Sequence, residues 1–205
     1  MRELSQEEYE SWRCGAEVTA SDQHGDKVLL LGDGAYLKLF RIKRLLTSAL
    51  FFPYWRRFVR NAGRLTELGV PTLRVREIYR IPHLARTAVH YDPLVGMTLR
   101  ELPDLDADLV RKLGRFLTIL HERGIYLRSL HFGNVVLTPE GELGLIDIAD
   151  MRIRQGPLSR RLRVRNYRHL CRYDEDRVRV AAHADEFLLH CDPAIKPRIV
   201  SMLGP

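Results

Sequence analysis

Between residues 16 and 40, short apolar blocks are split by turn residues. Ala16–Ala20, Lys27–Leu31 and Ala35–Phe40 read as three antiparallel strands, with a polar turn at Asp22–Asp26 and another at Gly32-Asp33-Gly34. At Tyr54–Leu68 the period lengthens: Phe58, Ala62, Leu65 and Leu68 fall at helical spacing, and Gly69 and Pro71 end the run. Leu73–Arg80 and Thr87–Tyr91 return to strand character. Asp106–Glu122 is an amphipathic helix with Leu109, Leu113, Phe116, Leu117 and Leu120 on one face, closed by Gly124. Val135–Leu137 and Leu143–Ile146 flank the turn residues Thr138-Pro139-Glu140-Gly141 as a hairpin, and the chain from Leu158 onward reads as helical and basic. The pattern predicts an α+β chain without internal repeats.

Several polar residues are placed by this pattern. Lys38 sits in the third strand between Leu37 and Leu39, where alternation alone points it to solvent. The hairpin brings the amide of Asn134 and the carboxylate of Asp147 to one spot. Mg²⁺ takes one or two hard oxygen ligands from protein and leaves the rest to phosphate and water, so this pair suits it.

The bulk numbers narrow the class. With 205 residues, 45% hydrophobic and 29% charged, the chain is globular rather than disordered, and long enough for one domain or two small lobes. The opening MRELSQEEYESW carries acidic residues and no apolar run, so no secretory signal is expected. The longest apolar tract, Leu45–Phe52, is too short to span a bilayer. Cys14, Cys171 and Cys191 are widely spaced and odd in number, which suggests a reduced, cytoplasmic setting. A net charge of +7 asks for an anionic partner: nucleic acid, a membrane surface or a phosphorylated substrate. No nucleic-acid recognition motif accompanies the charge, so nucleic acid is not expected.

The segment from Leu120 to Asp147, LHERGIYLRSLHFGNVVLTPEGELGLID, resembles the catalytic core of protein-kinase-like phosphotransferases. Together with Tyr-Leu-Lys-Leu-Phe-Arg, Glu-Leu-Gly-Val-Pro and Arg-Asn-Tyr-Arg-His-Leu-Cys-Arg, it is similar to bacterial lipopolysaccharide core kinases, a group including heptose and Kdo kinases and small toluene-tolerance-type relatives. The resemblance covers roughly Lys27 to Arg172. It implies a two-lobed protein-kinase-like fold in one domain, with a small antiparallel β N-lobe over about 1–92, a hinge at about 90–99 and a reduced, mainly helical C-lobe over about 97–205. It also implies ATP and Mg²⁺ as cofactors and transfer to a sugar hydroxyl of the inner core on the cytoplasmic side, with contact at the inner membrane as a further expectation.

Carried over residue by residue, Lys38 would hold the nucleotide phosphates, and Asn134 and Asp147 the metal. The backbone around His90, Tyr91 and Asp92, on to Leu94, would hold adenine. Arg128 would orient the catalytic loop. The chain departs from the pattern at three places. No glycine-rich loop precedes Lys38. The helix after it offers no glutamate, which leaves Asn61 as the first candidate to contact Lys38. Ser129 stands where the catalytic aspartate is expected.

A serine hydroxyl is no effective general base near neutral pH, and losing such a group typically costs about 10²–10⁴ in rate. His131 and Asp150 are the nearby groups that could help, although His131 also reads as structural and Asp150 as a loop or cap residue. Between Arg152 and Arg172 stand eight arginines and no Asp or Glu. Of these, Arg160, Arg161, Arg163 and Arg165 are expected to meet an anionic glycolipid or phosphorylated sugar, with salt bridges to Asp174, Glu175 and Asp176 as the bland alternative. Three functions stay open: an active sugar kinase, a pseudokinase that binds nucleotide or a partner and regulates envelope biosynthesis, and a protein serine/threonine kinase. Retention of Lys38, Asn134 and Asp147 favours the first, whereas Ser129 and the missing glutamate favour the second.

Overall fold

The computed structural model describes residues 1–41 and 53–204; the apolar tract expected at residues 45–52 lies outside them. The amino-terminal part runs β1 (Arg2–Glu3), α1 (Gln6–Cys14), β2 (Glu17–Asp22), β3 (Gly25–Leu30), β4 (Tyr36–Arg41), α2 (Tyr54–Glu67), β5 (Arg74–Ile81) and β6 (Arg86–Asp92). These strands form a sheet of order β1-β5-β6-β4-β3-β2, antiparallel except for the parallel β1–β5 pair. The expected strands are all present, shifted by a residue or two at their ends.

The helix α1 and the strand β1 go beyond the elements read from the pattern. A reciprocal cap starts α1: the Ser5 hydroxyl accepts from the Glu8 amide at 3.1 Å, and the Glu8 carboxylate accepts from the Ser5 amide at 3.0 Å. The helix lays Tyr9 and Trp12 over one face of the sheet, where Leu29, Leu37, Leu39, Tyr79 and Ala88 form a separate apolar cluster. Both sheet faces are therefore covered, α2 lying across the other through fully buried Phe58. With Leu37 and Leu39 turned toward α1, the pleat directs Lys38 to the α2 face and into the protein, not to solvent.

The rest of the chain comprises β7 (Met97–Thr98), α3 (Ala107–Glu122), β8 (Ile125–Tyr126), β9 (Val135–Leu137), β10 (Leu143–Leu145), β11 (Arg152–Ile153), α4 (Arg160–Leu170), α5 (Asp174–Ala181), α6 (Ala184–Phe187) and α7 (Lys196–Leu203). Strands β7, β9 and β10 make a small antiparallel sheet, and β8 pairs with β11. Asp106 caps α3 by accepting from the Leu109 amide at 2.7 Å. One continuous core joins Phe58 and Leu65 of α2 to Leu113 and Leu117 of α3, and these to Tyr167 and Phe187 beyond. The fold is thus mixed, a mostly antiparallel sheet region followed by a helical region. The connections after α2 and after β6 both pack tightly on the β9–β10 hairpin: a Cβ at Gly144 would lie 2.5 Å from the Pro71 carbonyl of the first and would also meet Leu94 of the second.

Candidate active site

Lys38 and Asp147 meet at the junction of the two regions. Lys38 Nζ lies 2.7 Å from Asp147 Oδ1 and 5.1 Å from the centre of the Phe58 ring, a position favourable to a cation. They sit on a cavity of about 540 Å³ whose apolar walls include Tyr36, Phe58, Tyr91, Leu94, Val136 and Ile146. Thr19, Thr98 and Glu101 join Lys38 and Asp147 as its polar lining, and its volume is that of a small-molecule site.

The backbone at Asp147 is left-handed, with φ 51° and ψ 52°. Such a conformation costs a non-glycine residue on the order of 1 kcal/mol and persists only where surrounding contacts enforce it. Here Asn61 of α2 enforces it. Its buried amide donates to the Ile148 carbonyl at 2.7 Å and the Met151 carbonyl at 3.0 Å, clamping the single 3₁₀ turn Ile148–Asp150. The expected meeting of Asn61 with Lys38 is thereby corrected. The helix supplies an amide to the loop backbone, and the lysine finds its carboxylate in Asp147.

The same turn aims Asp150 back at the loop that carries Ser129. Ser129 Oγ donates to Asp150 Oδ1 at 2.9 Å, and both residues are half-buried. Asp150 is a turn residue, as expected, but its side chain supports the serine in place of capping the turn. The backbone on both sides of Ser129 is held: Asn134 Nδ2 donates to the Ser129 carbonyl at 2.8 Å, and Asn166 Nδ2 to the Leu127 carbonyl at 2.6 Å. Asp176 of α5, 1% exposed, accepts from the Phe132 amide at 3.0 Å and from Arg100 at 2.8 Å.

Asn134 Nδ2 is committed to Ser129, its Oδ1 has no hydrogen-bond partner among the described residues, and its backbone carbonyl accepts from the Ile146 amide at 3.1 Å, one residue before the exposed Asp147. No group of three or more His, Cys, Asp or Glu able to hold a metal occurs among the described residues. An amide oxygen and one carboxylate fit an ion such as Mg²⁺ that draws its remaining ligands from phosphate and water.

His131 lies with Nε2 3.2 Å from Asn134 Nδ2. An amide NH₂ only donates, so Nε2 accepts, and the ring proton sits on Nδ1, which is buried without a partner among the described residues. Burial, aided by the nearby Arg100 cation, pushes its pKa below the usual imidazole range. With its one lone pair spent on Asn134, His131 orients that amide.

Other expected residues fall differently. Of His90, Tyr91 and Asp92, only Tyr91 lines the cavity. His90 points to the opposite face against Trp12 at 5.5 Å, and Asp92 pairs with Arg74 and Arg76. The strand β6 is paired on both edges, so its backbone groups serve the sheet; beyond it, Pro93 and Leu94 reach the cavity. Arg128 makes no hydrogen bond or ion pair among the described residues. Orientation of the loop belongs to Asp176, Asn134 and Asn166, while exposed Arg128 lines a second cavity of about 290 Å³ with Tyr126, Arg152, Arg154, Leu162 and Arg165. The Tyr126 hydroxyl lies 3.1 Å from His169 Nε2, and burial followed by Arg165, Arg128 and Arg172 pushes the His169 pKa down.

The arginine segment divides by helix face. Arg160 is paired with Asp192 and Arg163 with Glu122, which removes both from the expected anion site. Arg161 and Arg165 instead join Arg168 and Arg198 around a cavity of about 590 Å³ between α4 and α7. Among the described residues none of these arginines forms an ion pair with Asp174, Glu175 or Asp176; Asp174 binds Arg177 and Asp176 binds Arg100. Asp150 and Asp176 are the candidate-site positions that sequence pattern alone underrates. For Asp150 the available signal was the Asp-x-x-Asp spacing across a tight turn; for Asp176 there was none locally.

No known family model matches the chain. It is similar to the lipopolysaccharide core heptose(II) kinase WaaY of Escherichia coli (strain K12), with 29% identity over 121 residues, 56% of this chain. The chain spans about half (51%) of the length of that curated relative. No helix among the described residues is long and apolar enough to cross a membrane.

Proposed function

We propose that this chain is a phosphotransferase of two-lobed, protein-kinase-like architecture, which moves the γ-phosphoryl group of ATP to a hydroxyl of an anionic sugar such as a lipopolysaccharide core heptose. The observation that carries this reading is the Lys38–Asp147 pair at 2.7 Å on the rim of an apolar cavity. A half-buried strand lysine and a strained loop aspartate, each holding the other's charge, offer places for a phosphate and its accompanying cation. The similarity to a heptose kinase supports the same reading.

Phosphoryl transfer relies mostly on positioning and charge neutralisation. In this reading adenine lies between the apolar walls near Tyr91, Leu94, Val136 and Ile146. Lys38 turns from Asp147 to the phosphates. Asn134 and Asp147 would hold Mg²⁺, which when bound would supply charge neutralisation. Ser129 positions the incoming hydroxyl, and its chain neighbour Arg128, with Arg152, Arg154 and Arg165 of the same cavity, holds phosphate or carboxylate groups of the acceptor.

The test is a calorimetric titration with ATP, with and without Mg²⁺, followed by ADP release in the presence of purified heptose-containing core lipopolysaccharide. Mg²⁺-dependent binding with acceptor-stimulated ADP release is the expected outcome. Binding without any turnover would leave a nucleotide-binding pseudokinase, and absence of binding would end the nucleotide-site reading.

A further inference from the structure

We propose that Asp150 is the terminal proton acceptor of the transfer reaction, reached through the hydroxyl of Ser129. The inference rests on the phosphotransferase reading above. It accounts for an enzyme whose catalytic-loop aspartate is missing: the carboxylate has moved to a neighbouring turn and contacts the serine left in its place.

The geometry carries this assignment. Ser129 Oγ gives its only proton to Asp150 Oδ1 at 2.9 Å, so its lone pairs remain to accept from another hydroxyl. The loop around it is fixed through the Leu127 and Ser129 carbonyls. The turn that bears Asp150 is fixed by Asn61 through the Ile148 and Met151 carbonyls. Donor and acceptor therefore belong to two separately clamped segments, the arrangement that preorganised proton transfer requires. Other nearby candidates are occupied: His131 accepts from Asn134, and His169 lies against Tyr126.

The step balances. The acceptor oxygen forms a bond to the γ-phosphorus while the bond from phosphorus to the β–γ bridging oxygen breaks, its electron pair leaving with ADP. The acceptor's proton passes to Ser129 Oγ as the serine's own proton passes to Asp150 Oδ1. Asp150 later releases it to water.

The test compares wild type, Asp150→Asn and the double variant Asp150→Asn/Ser129→Asp for kcat and KM with MgATP and purified heptose-containing core lipopolysaccharide. Thermal melts and MgATP calorimetry accompany each protein. Asparagine keeps the shape and still accepts from the serine hydroxyl, so a supporting role survives it and a proton-accepting role does not. Asp150→Asn is expected to melt like wild type and to bind MgATP within about twofold, with kcat lower by about 10²–10⁴. The double variant, which returns a carboxylate to the loop, is expected to regain at least about tenfold of that loss. Asp150→Asn with kcat within a few-fold of wild type overturns the assignment, as does a loss shared equally by MgATP affinity. A wild-type protein that binds MgATP but transfers nothing overturns the phosphotransferase reading itself, a result separate from an active wild type with an unaffected Asp150 variant.

Discussion

Lys38 and Asp147 lie 109 positions apart in sequence and 2.7 Å apart in space. The Asp147 side chain is 54% exposed and that of Lys38 20%, so solvent screens the pair and its contribution to stability is small. A pair that stabilises so little, on a loop whose left-handed turn Asn61 clamps, fits the binding role proposed for it. Lys38→Ala is therefore expected to leave the melting temperature nearly unchanged while weakening MgATP binding roughly 10- to 100-fold, the value of a hydrogen bond to a charged group. Calorimetry against the melt separates the two effects.

Asp176 has the opposite character. It is 1% exposed, and one oxygen, Oδ2, serves both the buried Phe132 amide and Arg100. Asp176→Ala strands that amide, while Arg100 is partly exposed and stacked on Tyr173 at 4.7 Å, and so can be hydrated. The expected cost is about 2–4 kcal/mol, seen as a Tm lower by roughly 5–15 °C in calorimetry. Asp176→Asn, which keeps an acceptor, should lose less.

These two sites show why parts of the molecule were legible in sequence. Asn134 and Asp147 sit on one short hairpin, so their spacing alone brings them together, and α2 and α3 announce themselves by period. Long-range contacts have no such local trace: Asn61 meets Ile148 across 87 positions and Ser129 meets Asp150 across 21, the latter only because a 3₁₀ turn reverses the chain. Alternation alone points Lys38 to solvent, because covering of the second sheet face by α2 is a tertiary fact. The Ser5-x-x-Glu8 cap of α1, and the i, i+4, i+7 phase that groups Arg161, Arg165 and Arg168 apart from Arg160 and Arg163, are local patterns that the sequence itself carries.

His121 gives a stability signature in pH. It is 2% exposed, 3.2 Å from Asn166 Oδ1, and burial pushes its pKa down to about 4, with Arg163 acting in the same direction. Between that value and the ordinary one near 6.5, the unfolded chain binds a proton that the fold excludes, so stability rises with pH across this window. The contribution is complete above about pH 6.5 and is lost as pH falls toward 4. Urea unfolding at pH 7 and pH 4.5 should differ by roughly 2–3 kcal/mol from this group. In His121→Gln that slope should flatten.

The two classes of arginine on α4 predict opposite behaviour from neighbouring substitutions. Arg165 lines both basic cavities and has no acidic partner among the described residues, whereas Arg160 is held by Asp192. If the acceptor's anionic groups bind beside Ser129, Arg165→Gln and Arg128→Gln each remove a charge-assisted contact without disturbing packing. Each should raise KM for core lipopolysaccharide by about tenfold or more with KM for ATP unchanged. The salt dependence of acceptor KM should weaken in both, since fewer charges remain to be screened. Arg160→Gln loses only an exposed ion pair and should alter neither constant by more than about twofold. Steady-state kinetics at two ionic strengths tests all three variants together. Equal effects at positions 160 and 165 would mean that the acceptor senses the net charge of the segment, with no particular cavity involved.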